Sequence, residues 1–302
     1  MWSFVIPTFN RAEILRRCLN ALEVQTSSSE FEVIVVDDGS TDQTSDLLNS
    51  WHSNRFELRH FRQENKKPAA ARNLGVSYSR GHRILFLGDD IIASPEFLEQ
   101  HVEAHRRHPD ITAVLGYTVW SSELRITRFM KYLGEEGWQF GYSLIEDPEN
   151  VPFNFFYTSN ISLQRSLFDA IGPFDESFGT AGWEDTEYGY RLKQGGGKIV
   201  FQRTALAEHL HPTSFESFCE RQFRVGQYAP YFYRKHPELR EFLGADIVFP
   251  SASRRLLLNL LTKVCSLEER FPSLDFSRYY PDLMTYHYMR GLIAASGQFT
   301  QT

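Results

Sequence analysis

Two pairs of adjacent carboxylates close apolar runs in this chain: Val33-Ile34-Val35-Val36 leads into Asp37-Asp38-Gly39-Ser40, and Ile84-Leu85-Phe86-Leu87 leads into Gly88-Asp89-Asp90. A carboxylate at the end of a strand and ahead of a glycine can accept hydrogen bonds from a base N–H or a ribose hydroxyl. Asp-Gly is also a common turn pair, so Asp38 has a plain alternative. Asp89 and Asp90 repel each other, and burying such charges is costly unless something compensates them. A divalent cation is one compensator, since hard carboxylate oxygens suit Mg2+ or Mn2+; capping of a following helix is the other reading. A third pair, Glu184-Asp185, opens a helical pattern, where the helix dipole favours negative charge. The flanking Gly179 to Trp183 stretch is glycine-rich and aromatic, as a sugar-stacking site would be, and a carboxylate there could act as a general base. His209 and His211 point the same way if their segment is extended. One could be a metal ligand, or both could be ordinary structural histidines. Arg72, among alanines, could reach a phosphate or a base, or face solvent.

These residues need elements to hold them. Phe4 to Ile6 reads as a strand, and Asn10 as a helix N-cap with Glu13 completing a capping box. Ile14, Leu15, Cys18, Leu19 and Leu22 follow at helical spacing. Phe31 to Val36, Phe56 to Phe61, Arg83 to Leu87 and Ile111 to Tyr117 read as further strands. Helices are expected up to about Trp51, over Ala69 to Val76, and from Ser94-Pro95 onward. Alternating strands and helices predict an α/β sandwich with a mostly parallel sheet. In such sheets ligands bind at the carboxyl ends of the strands, where Thr8, Asn10, Asp37, Asp38, Asp89 and Asp90 cluster. Trp120 to Pro152, with Gly134, Gly137 and Gly141, reads as a long loop or lid. Phe153 to Leu163 recovers strand character, Glu184 to Lys193 is helical, and Lys198 to Gln202 is a last strand. From about Thr213 the chain turns helical and rich in Phe, Tyr, Arg and Pro. The expected division is therefore 1–212 and a helical extension, 213–302.

Length and composition agree with one large α/β domain and an appendage: 302 residues, 42% hydrophobic and 23% charged. A net charge of -6 does not fit a nucleic-acid binder. Three scattered cysteines, Cys18, Cys219 and Cys265, argue against a disulfide frame or zinc site and for a reducing cytoplasm. The apolar start carries no basic flank or cleavage site, so no signal peptide is expected. The longest apolar candidate, Leu256 to Leu261, is broken by Asn259 and falls short of a membrane span.

Taken in order, Val5-Ile6-Pro7-Thr8-Phe9-Asn10-Arg11, Val35-Val36-Asp37-Asp38-Gly39-Ser40-Thr41-Asp42, Ala71-Arg72-Asn73-Leu74-Gly75, Phe86-Leu87-Gly88-Asp89-Asp90, Thr158-Ser159-Asn160 and Trp183-Glu184-Asp185 resemble glycosyltransferase family 2. They cover about the first 210 residues. The resemblance implies the GT-A fold, a Rossmann-like mixed sheet flanked by helices, and an inverting transferase of the EC 2.4 class. It implies that Pro7, Thr8, Asn10 and Arg11 line a nucleotide pocket, and that Asp38 bonds the base with Arg72 nearby. Asp90 would bind Mn2+ or Mg2+, Asp89 the ribose or donor sugar, and His209 matches an additional metal ligand of some members. Asp185 would be the catalytic base and Glu184 would orient the acceptor. Gly88 stands where many members have a carboxylate, which leaves open which aspartate meets ribose and which the metal. The implied partners are a nucleotide-diphosphate sugar, UDP or dTDP favoured, and a carbohydrate or lipid-linked acceptor in polysaccharide or glycoconjugate synthesis. Nucleic acid is not among them; a homodimer and a peripheral contact with the inner face of a membrane stay open. The aromatic and basic residues Phe218, Phe223, Tyr228, Arg221 and Arg224 are expected to pack helices rather than face lipid or acceptor. Two other readings remain: a nucleotidyltransferase, for which the Pro7 to Arg11 loop lacks glycine, and a non-catalytic sugar-binding subunit, against which the intact Glu184-Asp185 pair speaks.

Overall fold

The computed structural model describes residues 1–109, 111–135, 139–179, 182–271 and 273–296. They form two compact units, Met1–Leu124 with Gly137–His211, and Arg125–Glu136 with Pro212–Thr302. Gly137 of the expected lid, and Thr180 and Ala181 of the Gly179 to Trp183 stretch, lie outside the described residues.

The first unit holds an eight-stranded sheet. Its strands are β1 (Trp2–Thr8), β2 (Phe31–Asp37), β3 (Glu57–Arg62), β4 (Arg83–Leu87), β5 (Ile91–Ala93), β6 (Thr112–Trp120), β7 (Asn160–Gln164) and β8 (Lys198–His209), in the order β3-β2-β1-β4-β7-β6-β8-β5. β1 to β4 pair in parallel, β7 runs antiparallel between β4 and β6, β6 and β8 are parallel, and β5 is antiparallel to β8. The mixed, mostly parallel sheet flanked by helices is the architecture expected from the sequence.

Alternation along the strands explains why both faces are covered. Phe4 and Ile6 of β1, Val33 and Val35 of β2, and Leu85 and Leu87 of β4 pack with Leu15, Leu19 and Leu22 of α1 (Ala12–Glu23) and with Phe97 and Leu98 of α4 (Phe97–Arg107). Val5, Ile84 and Phe86 point the other way. They meet Ala69 and Val76 of α3 (Lys67–Tyr78), Phe168 of α6 (Arg165–Ile171) and Tyr188 of α7 (Trp183–Gln194). The short α2 (Thr44–Ser50) follows β2.

Several local expectations change. Asn10 is not a helix cap. It sits in the left-handed region at φ 53°, and Asp42 supplies the acceptor for the Ala12 amide at 3.0 Å. Phe153 to Leu163 divides into a 3-10 turn, Phe153–Phe155, and β7. β5, a strand of three residues, was not foreseen, and β8 extends to His209 instead of ending at Gln202. The stretch from Trp120 to Pro152 is not one loop. Trp120 ends β6, and Arg128–Glu135 forms α5 within the second unit, with Phe129, Met130 and Leu133 buried along one side. Glycines among aromatics hid that amphipathic turn.

The second unit also contains α8 (Phe215–Lys235), α9 (Ala252–Cys265) and α10 (Tyr280–Ser296). α8 and α10 approach closely at glycines: a Cβ at Gly226 would lie 2.1 Å from the Tyr288 carbonyl, and one at Gly291 would lie 1.9 Å from that of Phe223.

Candidate functional site

The ends of β1, β2 and β4 bring the first two acidic pairs to one rim of the sheet. The Thr8 carbonyl accepts the Asp38 amide at 2.9 Å, and the Thr8 hydroxyl donates to Asp89 Oδ2 at 2.8 Å. Pro7 lies opposite Val36 in the parallel ladder, and Thr8 opposite Asp37. Asn10 ties the β1–α1 turn to the β2–α2 turn: its amide donates to Ser40 Oγ at 2.8 Å and its Oδ1 accepts the Thr41 amide at 2.7 Å.

Asp37 and Asp38 divide their work. Asp37 Oδ1 accepts the Ser40 amide at 2.7 Å, closing the turn through Gly39 at φ +88°. Asp38 Oδ1 accepts from Gln63 Nε2 at 2.7 Å and from the Lys66 amide at 2.8 Å, and Oδ2 accepts from the Lys67 amide at 2.9 Å. Three of roughly four acceptor positions on a carboxylate are thus in use. Asp38 organises the start of α3, where N–H groups lack helical partners, and a base at this carboxylate would meet what remains.

At the end of β4, Asp89 and Asp90 are buried and share one cation of the chain itself. Arg11 Nη1 lies 3.0 Å from Asp89 Oδ1 and 2.8 Å from Asp90 Oδ2. The sequence suggested a divalent ion as compensator; here a guanidinium takes part of that role. Burial, with the Asp90 charge beside it, pushes the Asp89 carboxyl up, against Arg11 and Thr8. Burial also opposes ionisation of Asp90, but the hydrogen bond and charge of His209, with Arg11, hold its carboxyl below the usual range.

His209 Nε2 stands 3.3 Å from Asp90 Oδ2, and the buried Nδ1 has no hydrogen-bond partner. β5 makes this meeting. It starts directly after Asp90, pairs Ile91 with His209, and lets the Leu210 amide donate to the Asp90 carbonyl at 2.8 Å. The rings of Trp120 and Phe140 close on the imidazole at 5.3 and 5.4 Å between centroids. His211 is 6.0 Å away, ring to ring, and is not joined to Asp90 in the same manner. Gly88 has a spatial reason: a Cβ there would lie 2.9 Å from Asp90 Oδ1 and 3.0 Å from Ile91 Cγ1. A carboxylate at 88 would crowd Asp90.

The third pair begins α7. Glu184 is buried; its Oε1 accepts from Arg72 Nη1 at 3.1 Å and its Oε2 from the Gly182 amide at 2.6 Å. Arg72 therefore joins Glu184, with its guanidinium over the Phe174 ring at 5.8 Å and its Nε without a hydrogen-bond partner. Asp185 is half-buried, and its Oδ1 accepts the Thr186 amide at 2.9 Å.

Asp90 and His209 are chemically suited to a divalent cation, an anionic oxygen beside an imidazole nitrogen. No group of three or more His, Cys, Asp or Glu side chains that could hold a metal occurs among the described residues. A cation at this place would need further ligands from a bound phosphate or water.

Sequence reasoning quoted Ser40 and Asp42 in the motif after β2 without giving them a role, and it missed Gln63; Ser40 accepts the Asn10 amide, Asp42 accepts the Ala12 amide, and Gln63 donates to Asp38. It also missed the buried chain of His101, Ser162 and Asn160 behind Thr158-Ser159-Asn160, in which His101 bonds Ser162 Oγ at 2.8 Å and Asn160 Oδ1 at 3.0 Å.

Comparison with known proteins returns one family description, glycosyl transferase family 2, matching residues 3–172. The chain is 30% identical to validoxylamine A glucosyltransferase of Streptomyces hygroscopicus subsp. jinggangensis over 78% of this chain and 61% of that one. It is 27% identical to hyaluronan synthase of Pasteurella multocida over 77% of this chain but 28% of that one. The chain thus spans less than two thirds of either relative. Among solved structures it resembles S. aureus TarS 1–349 in complex with UDP-GlcNAc, with a TM-score of 0.56 and 19% identity over 97% of this chain and 89% of that one. It also resembles the mannosyltransferase PcManGT of Pyrobaculum calidifontis in complex with GDP-Man and Mn2+, with a TM-score of 0.64 and 17% identity over 100% and 88%.

Proposed function

The chain belongs to glycosyl transferase family 2, and from that premise we propose that it moves a sugar from a nucleotide-diphosphate sugar to an acceptor hydroxyl, inverting the anomeric carbon. The observation that carries this reading is the acidic rim itself: Asp89 and Asp90 at the end of β4, with Thr8, Arg11 and His209 converging on them. The neighbours in complex with UDP-GlcNAc and with GDP-Man support a donor of this chemical class. UDP and dTDP sugars are the favoured donors, and a carbohydrate or lipid-linked hydroxyl in polysaccharide or glycoconjugate synthesis is the acceptor.

In this reading Asp90 and His209 hold Mn2+ or Mg2+, the former supported by the Mn2+ of the PcManGT complex. When bound, the ion supplies positive charge to the leaving diphosphate. Asp89, kept by Thr8 and Arg11, faces the ribose or donor sugar. Pro7, Thr8, Asn10 and Arg11 form the nucleotide side of the pocket. Asp38 and Arg72 act on it by holding the α3 turn and Glu184. Asp185 takes the proton of the acceptor hydroxyl as that oxygen attacks the anomeric carbon from the face opposite the nucleotide. Glu184, both of whose oxygens are engaged, positions the start of α7 under the acceptor. The protein works in the cytoplasm, where a homodimer and a contact with the inner membrane face remain compatible with the reading.

Incubating the protein with UDP-, dTDP- and GDP-sugars, Mn2+ and candidate acceptors tests the proposal. Release of nucleoside diphosphate together with a product of inverted configuration by NMR is the expected result. Release of pyrophosphate, or a product with retained configuration, would overturn it.

A further inference from the structure

α9 presents its apolar side outward. Of its 14 residues only Leu258 and Cys265 are buried. Leu256, Leu257 and Leu260 are 74%, 53% and 58% exposed, and Leu261 and Val264 are half-buried. At about 100° per residue, these five fall in one sector of about 140°, whose centre lies roughly 120° from the side that carries Leu258 and Cys265. Lys263 borders that sector on one edge and Arg254 on the other. The helix is a defined element, since Ser251 caps it by accepting the Arg254 amide at 3.5 Å. Exposed apolar residues lie at both ends as well, Ile247 and Val248 before it and Leu267 after it. Single exposed leucines need no explanation, but a contiguous stripe of them marks an interaction surface.

The charges select the occupant. Between Ile247 and Leu267 the chain has Arg254, Arg255 and Lys263 and no acidic residue, in a protein of net charge -6. Arg254 stands 3.8 Å from Asp282, and both are exposed, too loose a pair to withdraw the cation. A second copy meeting this face through a two-fold axis would bring the same residues together and oppose like cations. An anionic headgroup layer would instead receive the leucines between its acyl chains and the bordering cations at its phosphates. The helix is about 21 Å long at 1.5 Å per residue, short of the roughly 30 Å of a hydrocarbon core, so it must lie in the plane of the interface.

We propose that α9 is a peripheral anchor that docks on an anionic lipid surface through Leu256, Leu257, Leu260, Leu261 and Val264, bordered by Arg254 and Lys263. This gives a named surface to the membrane contact left open above, but it stands on α9 alone and not on the transferase chemistry.

Cosedimentation of the full chain with phosphatidylcholine vesicles, with and without phosphatidylglycerol, tests it. Binding is expected to the phosphatidylglycerol vesicles, to fall at least about tenfold in L256E/L260E, and to weaken and become less salt-dependent in R254Q/K263Q. Exposed substitutions should leave the circular dichroism spectrum unchanged. Equal binding by wild type and L256E/L260E, or no binding by either, overturns the proposal. So does a vesicle-free dimer, seen by analytical ultracentrifugation, that L256E/L260E dissociates; that result would assign the face to a second copy. Nucleoside diphosphate release in vesicle-free solution, measured on the same proteins, should not differ between wild type and L256E/L260E. Its absence from both would strike the transferase reading and leave the vesicle result to stand or fall separately.

Discussion

At the start of α7 two neighbouring carboxylates differ in burial. Glu184 is held on both oxygens by Arg72 and the Gly182 amide, whereas Asp185 is half-buried and accepts from the amide that follows it. A general base needs access to the proton it removes, so Asp185→Asn is expected to lower kcat by about 10²- to 10⁴-fold while leaving the donor dissociation constant unchanged by calorimetry. A variant with wild-type turnover would remove Asp185 from the mechanism. At the other acidic pair, Asp90→Ala should abolish the Mn2+-dependent part of donor affinity, a loss of at least about tenfold. Affinity that is equal with Mn2+ and with EDTA in the wild type would refute that role. Asp90 was legible in the sequence as a carboxylate closing an apolar run, and Glu184 and Asp185 as carboxylates opening a helical pattern. Their partners were not: Arg11 as the cation shared by Asp89 and Asp90, Arg72 on Glu184 and Gln63 on Asp38 are joined across 78, 112 and 25 positions of chain, and no local pattern encodes such distances.

The elements show the same division. Strands β1, β2 and β4 were readable because each is an apolar run ended by polar residues, and α1 because its leucines recur at helical spacing. β5 was not, since Ile91-Ile92-Ala93 is too short for a period to appear and Ser94-Pro95 follows at once. Yet β5 and the last turn of β8 are what set Asp90 beside His209. Behind them, α4 docks on β7 through a directed run of hydrogen bonds. Arg83 meets His105 Nδ1 at 3.0 Å, His105 Nε2 meets Ser162 Oγ at 2.8 Å, and Ser162 Oγ meets His101 Nδ1 at 2.8 Å. The Arg83 guanidinium can only donate, so His105 Nδ1 accepts and that ring is neutral; with the Ser162 hydroxyl donating on to His101 Nδ1 and His101 Nε2 donating to Asn160 Oδ1, every ring nitrogen in the run has a partner with both imidazoles neutral. Burial pushes His101 down to about 4, and burial, with the Arg83 charge, pushes His105 down as well. In the unfolded chain each would titrate near 6.5. Above that pH neither state binds the proton and the pair has no effect. As pH falls from 6.5 toward 4, the unfolded chain gains protons that the folded one refuses, so stability declines, by up to about 1.4 kcal/mol per pH unit for each group. Urea unfolding at pH 7.5 and pH 5 should therefore show a larger loss in wild type than in H101Q/H105Q, by about 2 kcal/mol or more. Equal losses would mean that these histidines are not held neutral.

For the molecule as a whole, the balance of charge sets a constraint on donor binding. The chain carries -6 overall, and a sugar nucleotide bound as proposed would bring a diphosphate to a rim already holding Asp38, Asp89 and Asp90, with Arg11 as the cation that contacts both members of the Asp89-Asp90 pair. Bringing a dianion there without added positive charge would compete with Asp89 and Asp90 for one guanidinium. In the proposed reading Mn2+ on Asp90 and His209 would remove that conflict, so donor and ion should bind with positive coupling, each raising the affinity of the other by the same factor. The effect belongs to folding as well, because a ligand of the folded state alone stabilises it by about 2.7 kcal/mol at a concentration 100 times its dissociation constant. For a unit the size of the first one this corresponds to a Tm rise of roughly 5 to 10 °C. Thermal unfolding with the cognate sugar nucleotide and Mn2+ is thus expected to shift by that amount, with either ligand alone giving clearly less than half of it. EDTA should return the donor-bound protein most of the way to its free Tm. In Asp90→Ala the two single-ligand shifts should simply add. A full shift with donor alone in EDTA would show that Arg11 suffices to hold the diphosphate, and the metal would then have no place in this protein's mechanism.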